Sequence, residues 1–136
     1  MLSKALGYLK ASQRLINTQN DGMMSSSIAF SYYAVLLYMK FVLNTTSKTP
    51  ISYDIQIWPE EDMHKRVLQE IENRISDGKK RKDFKNRVTD LHSKRVEADY
   101  EERIFSTEEA LDCLAEANAL ISLLKNMFGN LEPKDS

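Results

Sequence analysis

The sequence predicts an all-α protein, a four- to five-helix up-down bundle with an extended loop between helices 2 and 3. Three observations predict it. Apolar residues recur at three- and four-residue intervals in five segments. One of those segments is apolar almost all round, as the central helix of a bundle is. Helix starts and stops, carried by Pro, Gly, Asp and Ser, separate the segments.

Helix 1 is expected over roughly Leu2 to Thr18, with Leu2, Leu6, Leu9, Leu15 and Ile16 as its apolar face and Asn20-Asp21-Gly22 as the turn that ends it. Helix 2 spans roughly Met24 to Asn44. Its Ile28, Phe30, Tyr32, Tyr33, Val35, Leu36, Met39 and Phe41 leave so little polar face that they read as core. Between Thr45 and Trp58 the helical spacing stops. Pro50 and the alternation of Ile51, Tyr53, Ile55 and Ile57 predict an extended loop or short strand laid over the bundle. Pro59 and the acids Glu60, Glu61 and Asp62 open helix 3, expected to run to about Ser76 and to be closed by Asp77-Gly78. Helix 4 is expected to begin within Lys79 to Asp83. Ser106-Thr107-Glu108-Glu109 is a capping box for helix 5, whose face is Leu111, Leu114, Ile121, Leu124 and Phe128. Gly129 supplies its stop.

At 136 residues the chain is long enough for one domain with its own core. The formal charge of −1 conceals a division. From Lys79 to Arg95 eight basic residues face two acids, a net of +6, and from Glu97 to Glu116 eight acids face Arg103 alone, a net of −7. Such a split can steer an anion to one side or dock opposite patches, although solvated helix faces also carry charge runs. The single Cys113 rules out an internal disulfide and reads as a small core residue. The polar opening of the chain lacks a signal-peptide apolar region, and the Ile28–Leu43 stretch is interrupted and shorter than a membrane span. A cytoplasmic protein without a membrane partner is expected.

Most enzyme signatures are missing. No glycine-rich phosphate loop or nucleophile elbow is present, and His64, His92 and Cys113 are too scattered to suggest a zinc site. The sequence implies no metal and no cofactor. What stands out is Arg95, which falls on the apolar stripe of helix 4 set by Phe84, Val88, Leu91 and Ala98. A guanidinium costs several kcal/mol to bury unpaired, so Arg95 needs a carboxylate, a partner chain or a phosphate. Asp99, one turn on, is the local carboxylate. His92 lies one turn before Arg95 on the same stripe. Its default place is an exposed one; alternatively, its imidazole moves a proton in RNA cleavage while Arg95 stabilises charge on phosphorus. Lys79, Lys80, Arg81, Lys82, Lys85 and Arg87 are the candidates for contact with a nucleic-acid backbone.

Four stretches together resemble one family. Ser25 to Leu37, with its serines and Tyr32-Tyr33-Ala34, resembles the second helix of HEPN domains. His64-Lys65-Arg66-Val67 is similar to the family's H-K-x-V, and Arg95-Val96-Glu97-Ala98-Asp99-Tyr100 to its R-x-x-A-D-Y variant. Ser106 to Ala110, followed by an Ala/Leu-rich helix, resembles the family's last helix. The resemblance implies a helical bundle over residues 1–128, followed by a polar tail over 129–136. It also implies a homodimer whose late helices line one cleft, and in many members an RNase paired with a nucleotidyltransferase antitoxin. The active motif of those members is Arg-x(4–6)-His, and no histidine follows Arg95. The resemblance therefore carries over Arg95, Asp99 and Tyr100 as motif residues but not the catalytic histidine. It leaves open a nucleotide-, RNA- or partner-binding module, the toxin-like half of a paired system, and an RNase using Arg95 and His92 across a dimer groove. In some members a tyrosine near this motif is adenylylated by the partner; a phenol capping the core is the other reading of Tyr100.

Overall fold

The computed structural model describes residues 1–129 and 131. Five α-helices make up the fold: α1 (Leu2–Asn17), α2 (Met24–Thr45), α3 (Glu60–Glu72), α4 (Gly78–Tyr100) and α5 (Thr107–Phe128). A single 3-10 turn over Asp21–Met23 joins α1 to α2, and no strand occurs among the described residues. The fold is thus an all-α bundle. Residues 130 and 132–136, most of the expected polar tail, lie outside the described residues.

The central helix is α2. Thirteen of its side chains are buried, including Ile28, Tyr32, Val35, Met39 and Phe41, and it packs on each of the other four helices. It is also long and apolar enough to cross a membrane, longer than the sequence suggested, yet two-thirds of its apolar window (67%) is buried inside the bundle. Burial of its aliphatic and aromatic side chains, at about 1.5–3 kcal/mol each, is the main stabilising contribution. From the other helices Ile16, Val67, Ile71, Phe84, Val88, Leu91, Leu114, Ile121 and Leu124 complete the core. Leu6 and Leu111, expected on apolar faces, are exposed at the edges of theirs.

The α1–α2 contact holds a polar knot. Ser12, fully buried, places its hydroxyl 2.8 Å from Ser27 Oγ and 2.9 Å from Ser31 Oγ, and Ser27 Oγ donates back to the Ser12 carbonyl. Small side chains let the two helices approach, and mutual hydrogen bonds satisfy the hydroxyls.

Helix ends follow local chemistry, with one correction. Ser106 and Glu109 form both bonds of the capping box on α5, and Gly129, at φ 84°, ends that helix. The Asp77-Gly78 pair does not close α3, which stops at Glu72. Asp77 instead opens α4, its carboxylate accepting the backbone N–H groups of Lys79 and Lys80. A carboxylate is favoured at the positive end of a helix, so the same dipeptide that can end one helix starts the next.

The segment between α2 and α3 is the loop of the two forms expected, and what departs from the apolar alternation is which of its residues are buried. It forms no strand, having no strand beside it to pair with. Ile55 and Ile57, predicted to face the bundle, are 65% and 80% exposed, whereas Gln56 between them is buried. The Gln56 amide donates to the carbonyls of Lys40 and Ile51, so hydrogen bonding and not apolar alternation fixes the loop. From outside, the Arg74 guanidinium donates to the carbonyls of Lys48 and Thr49 while pairing with Glu70.

The serine knot yields a test. Ser12→Ala strips the shared hydroxyl and is expected to cost about 1–3 kcal/mol, the usual penalty for leaving a buried partner unsatisfied. The double change Ser12→Ala/Ser31→Ala should cost less than its two single changes added together. Urea unfolding of the four proteins measures this, and strict additivity would contradict a coupled knot.

Candidate functional site

Helices α3 and α4 splay around a cleft that collects residues from three of the four sequence stretches singled out above. His64 and Lys65 come from α3; His92, Arg95, Val96 and Tyr100 come from α4. Glu60 and Glu61, in the first turn of α3, complete the rim of this opening of about 560 Å³. Behind it stand Tyr32 and Tyr33 of α2, which supply the hydroxyls that position the cleft's side chains.

The arrangement follows from burying α2. Tyr32 is 2% exposed, and its hydroxyl lies 2.6 Å from His64 Nδ1, its one polar partner among the described residues. Burial pushes the Tyr32 phenol well above its ordinary pKa, so it keeps its proton. A neutral phenol with a single partner donates to it, which makes His64 Nδ1 the acceptor and leaves the ring proton on Nε2. The His64 ring stacks on that of His92, with centroids 3.7 Å apart and planes 7° from parallel, and His92 also packs against Tyr32. Burial, the neighbouring His92 and the Arg95 charge lower the His64 pKa to about 4; burial and Arg95 lower that of His92. Both rings are therefore neutral at pH 7. His92 is not the exposed helix residue that spacing alone suggested, because α3 brings an aromatic partner to its face.

Arg95 is held from two sides. Its Nη2 donates to the Tyr33 hydroxyl at 2.9 Å, and its guanidinium lies 5.4 Å from the centre of the Tyr33 ring. Asp99 Oδ2 is 3.0 Å from Nε, the intrahelical pair that the spacing offered. That contact is close but off the N–H axis, so the buried Nε has no aligned hydrogen-bond acceptor. Burial disfavours the charge, and the Tyr33 hydrogen bond and the Asp99 carboxylate outweigh it, so Arg95 remains cationic. With 21% of its side chain exposed, it is a fixed positive charge with spare donors at the mouth of the cleft.

Tyr100 does not cap the core. It is 76% exposed on the rim of the same cleft. The basic run does not form one face, since nine successive helical positions wind round the helix more than twice. Arg81 and Lys85 face α3 and line a second opening with His64 and Lys65. Lys80 borders a separate cavity beside Phe84 and Met127, and Arg87 is engaged by Glu116 and Asp83. Lys79 and Lys82 are exposed near the start of α4. Cys113 is buried, and burial pushes its thiol up to about 11, which removes it as a nucleophile. Among the described residues no group of three or more His, Cys, Asp or Glu side chains is placed to hold a metal ion.

Sequence reasoning left out His64 and gave Tyr32 and Tyr33 to the core alone. The signal for all three lay in the tyrosine pair and the His-Lys-x-Val stretch. Both had been noted as resemblances, without a part in the site.

The neutral imidazoles make stability depend on pH. A histidine whose folded pKa lies below its unfolded value of about 6.5 stabilises fully above that value and loses its contribution as pH falls through the folded one. Unfolding free energy should therefore drop between about pH 6.5 and 4. His64→Gln should flatten the fall in this window relative to the parent chain. Urea midpoints across the range measure it, and identical pH profiles for both proteins would contradict a buried neutral His64.

The family model described as HEPN domain matches residues 1–127, a range that contains every cleft residue named here. No curated protein and no solved structure matches the chain. The chain belongs to the HEPN domain family.

Proposed function

We propose that this HEPN domain binds RNA or a nucleotide by seating a phosphate on Arg95 in the α3–α4 cleft, and that it does not cleave RNA. The observation that carries this reading is the guanidinium itself. It is partly exposed, and its stem is held by Tyr33 and Asp99. A pre-oriented fork of N–H donors matches a phosphate's oxygens and loses little side-chain entropy on binding.

The histidines argue against catalysis. In-line displacement at phosphorus needs a base at the attacking oxygen and an acid at the leaving oxygen, on opposite sides of the phosphate. His64 and His92 are stacked face to face, 3.7 Å apart, too close to flank a phosphate from its two sides. Being neutral, they can position a ligand by hydrogen bonding, and neither is charged at pH 7 to act as acid. The alternative reading, a metal-independent RNase acting through Arg95 and His92 across a dimer groove, rests on both residues lining one cleft. Pairing with a nucleotidyltransferase, with this chain as the toxin-like member, is the biological setting that the family suggests. A homodimer aligning two Arg95 clefts belongs to the same proposal. A nucleotidyltransferase reading frame beside the gene and a dimer by light scattering would support that setting, and a monomer would count against the shared groove.

Arg95→Ala should weaken binding of RNA or nucleotide by about tenfold or more, the value of a charge-assisted contact, with a smaller effect on folding. Anisotropy titrations beside thermal melts separate the two; unchanged affinity would sink the reading. Incubated with single-stranded RNA, the parent chain should leave it intact. Cleavage that disappears in His92→Ala and persists after a distant surface change would establish the RNase instead.

A further inference from the structure

We propose that the groove between α3 and α4 is a single-strand track. A base stacks on Tyr100 beside the Arg95 phosphate site, and the following phosphates run along the α4 wall to a second anion subsite formed by Lys65, Arg81 and Lys85. The inference rests on the reading of Arg95 given above and extends it from one phosphate to several. The cleft at Arg95 does not end at the histidines: His64 and Lys65 also line a second opening of about 480 Å³, farther toward the start of α4. The two openings thus lie next to each other along the same α3–α4 seam, with His64 and Lys65 between them. From Arg81 to Arg95 along α4 is about 21 Å at 1.5 Å per residue, longer than a single nucleotide.

Charge and polarity along the groove fit a polyanion on one wall. Lys65, Arg81 and Lys85 outnumber Glu72 in the second opening, and the Lys85 amine stays 4.0 Å from that carboxylate. Arg81 spends one nitrogen on the Ile75 carbonyl, which fixes its stem and leaves other N–H groups for a ligand. Gln69, Asn73 and Thr89 line the same stretch with uncharged donors and acceptors. At the far end Glu60 and Glu61 occupy the α3 rim and repel phosphates toward the α4 wall, where Arg95 stands. Tyr100, 76% exposed at the end of α4, offers an aromatic face that every base can stack on. Only an unpaired base can reach it, so the track selects a single strand over a duplex.

The test compares adenosine monophosphate, a single-stranded RNA of about ten nucleotides and the blunt duplex of the same sequence on the full chain, by calorimetry and anisotropy. The single strand should bind at least about tenfold more tightly than either the mononucleotide or the duplex. Arg81→Gln/Lys85→Gln, which leaves the Arg95 cleft intact, should remove most of that gain, reduce the logarithmic salt slope by about 1.4, and leave mononucleotide binding unchanged. Tyr100→Ala should weaken the single strand by about fivefold or more, with Tyr100→Phe matching the parent. Circular dichroism melts identify any variant that fails to fold, and Tyr100, exposed at a helix end, supplies a variant outside the core. An Arg81→Gln/Lys85→Gln variant that binds RNA as the parent does, a duplex that matches the single strand, or an unaffected Tyr100→Ala overturns the track. If mononucleotide binding still depends on Arg95 in those cases, the phosphate site stands and only the track falls. If Arg95→Ala changes nothing, both fall.

Discussion

The tyrosine pair at the middle of α2 is the constraint on which the cleft depends. A helix buried on nearly every side cannot leave phenol hydroxyls without partners, because an unsatisfied buried polar group costs about 1–3 kcal/mol. Tyr32 and Tyr33 are successive residues and so point about 100° apart around the helix. One hydroxyl meets α3 at His64, the other meets α4 at Arg95. Two helices that touch each other little are thereby referenced to the same turn of a third. The position of the guanidinium relative to the imidazoles is set by the core, not by the mobile ends of long side chains.

That arrangement decides which chemistry the cleft can support. Desolvation disfavours both kinds of cation with unequal results: it drives the imidazoles to their neutral form, whereas Arg95 keeps its charge because no accessible pH removes it. The outcome is one permanent positive charge beside two uncharged hydrogen-bonding rings. Such a site can hold a phosphate and read its surroundings. A proton shuttle needs a histidine poised near neutrality; burial has moved the His64 pKa to about 4 and shifts that of His92 in the same direction. The adjoining α4–α5 connection is stabilised separately. Arg103 lies over the Phe105 ring and pairs with Glu97, Glu101 and Glu109, which draws part of the acidic run into a structural clasp.

How much of this could be read from the chain depends on the range of the interaction. The helices were legible because periodicity and caps are local: Phe84, Val88, Leu91 and Ala98 form a buried stripe as their spacing requires, and Ser106 with Glu109 caps α5. The Arg95–Asp99 pair was legible for the same reason, being one turn long. Errors arose where one local signal has two outcomes, as at Asp77-Gly78, or where a buried amide overrode apolar alternation, as at Gln56. The heart of the cleft was not legible from spacing. Tyr33 and Arg95 are 62 residues apart, Tyr32 and His64 are 32 apart, and no periodicity links residues on different helices. Only the family likeness marked those stretches as belonging together, and it did not say what they do.

The most direct test of the account is the protonation of His64 in the folded chain, read from its imidazole nitrogen resonances by NMR across pH 4 to 8. If Tyr32 donates to Nδ1 and burial holds the ring neutral, His64 shows the Nε2–H form at pH 7 and gains its second proton only near pH 4. A ring protonated near its ordinary pKa of about 6.5, or carrying its proton on Nδ1 at pH 7, would contradict the claim that the buried tyrosines set the chemistry of the cleft.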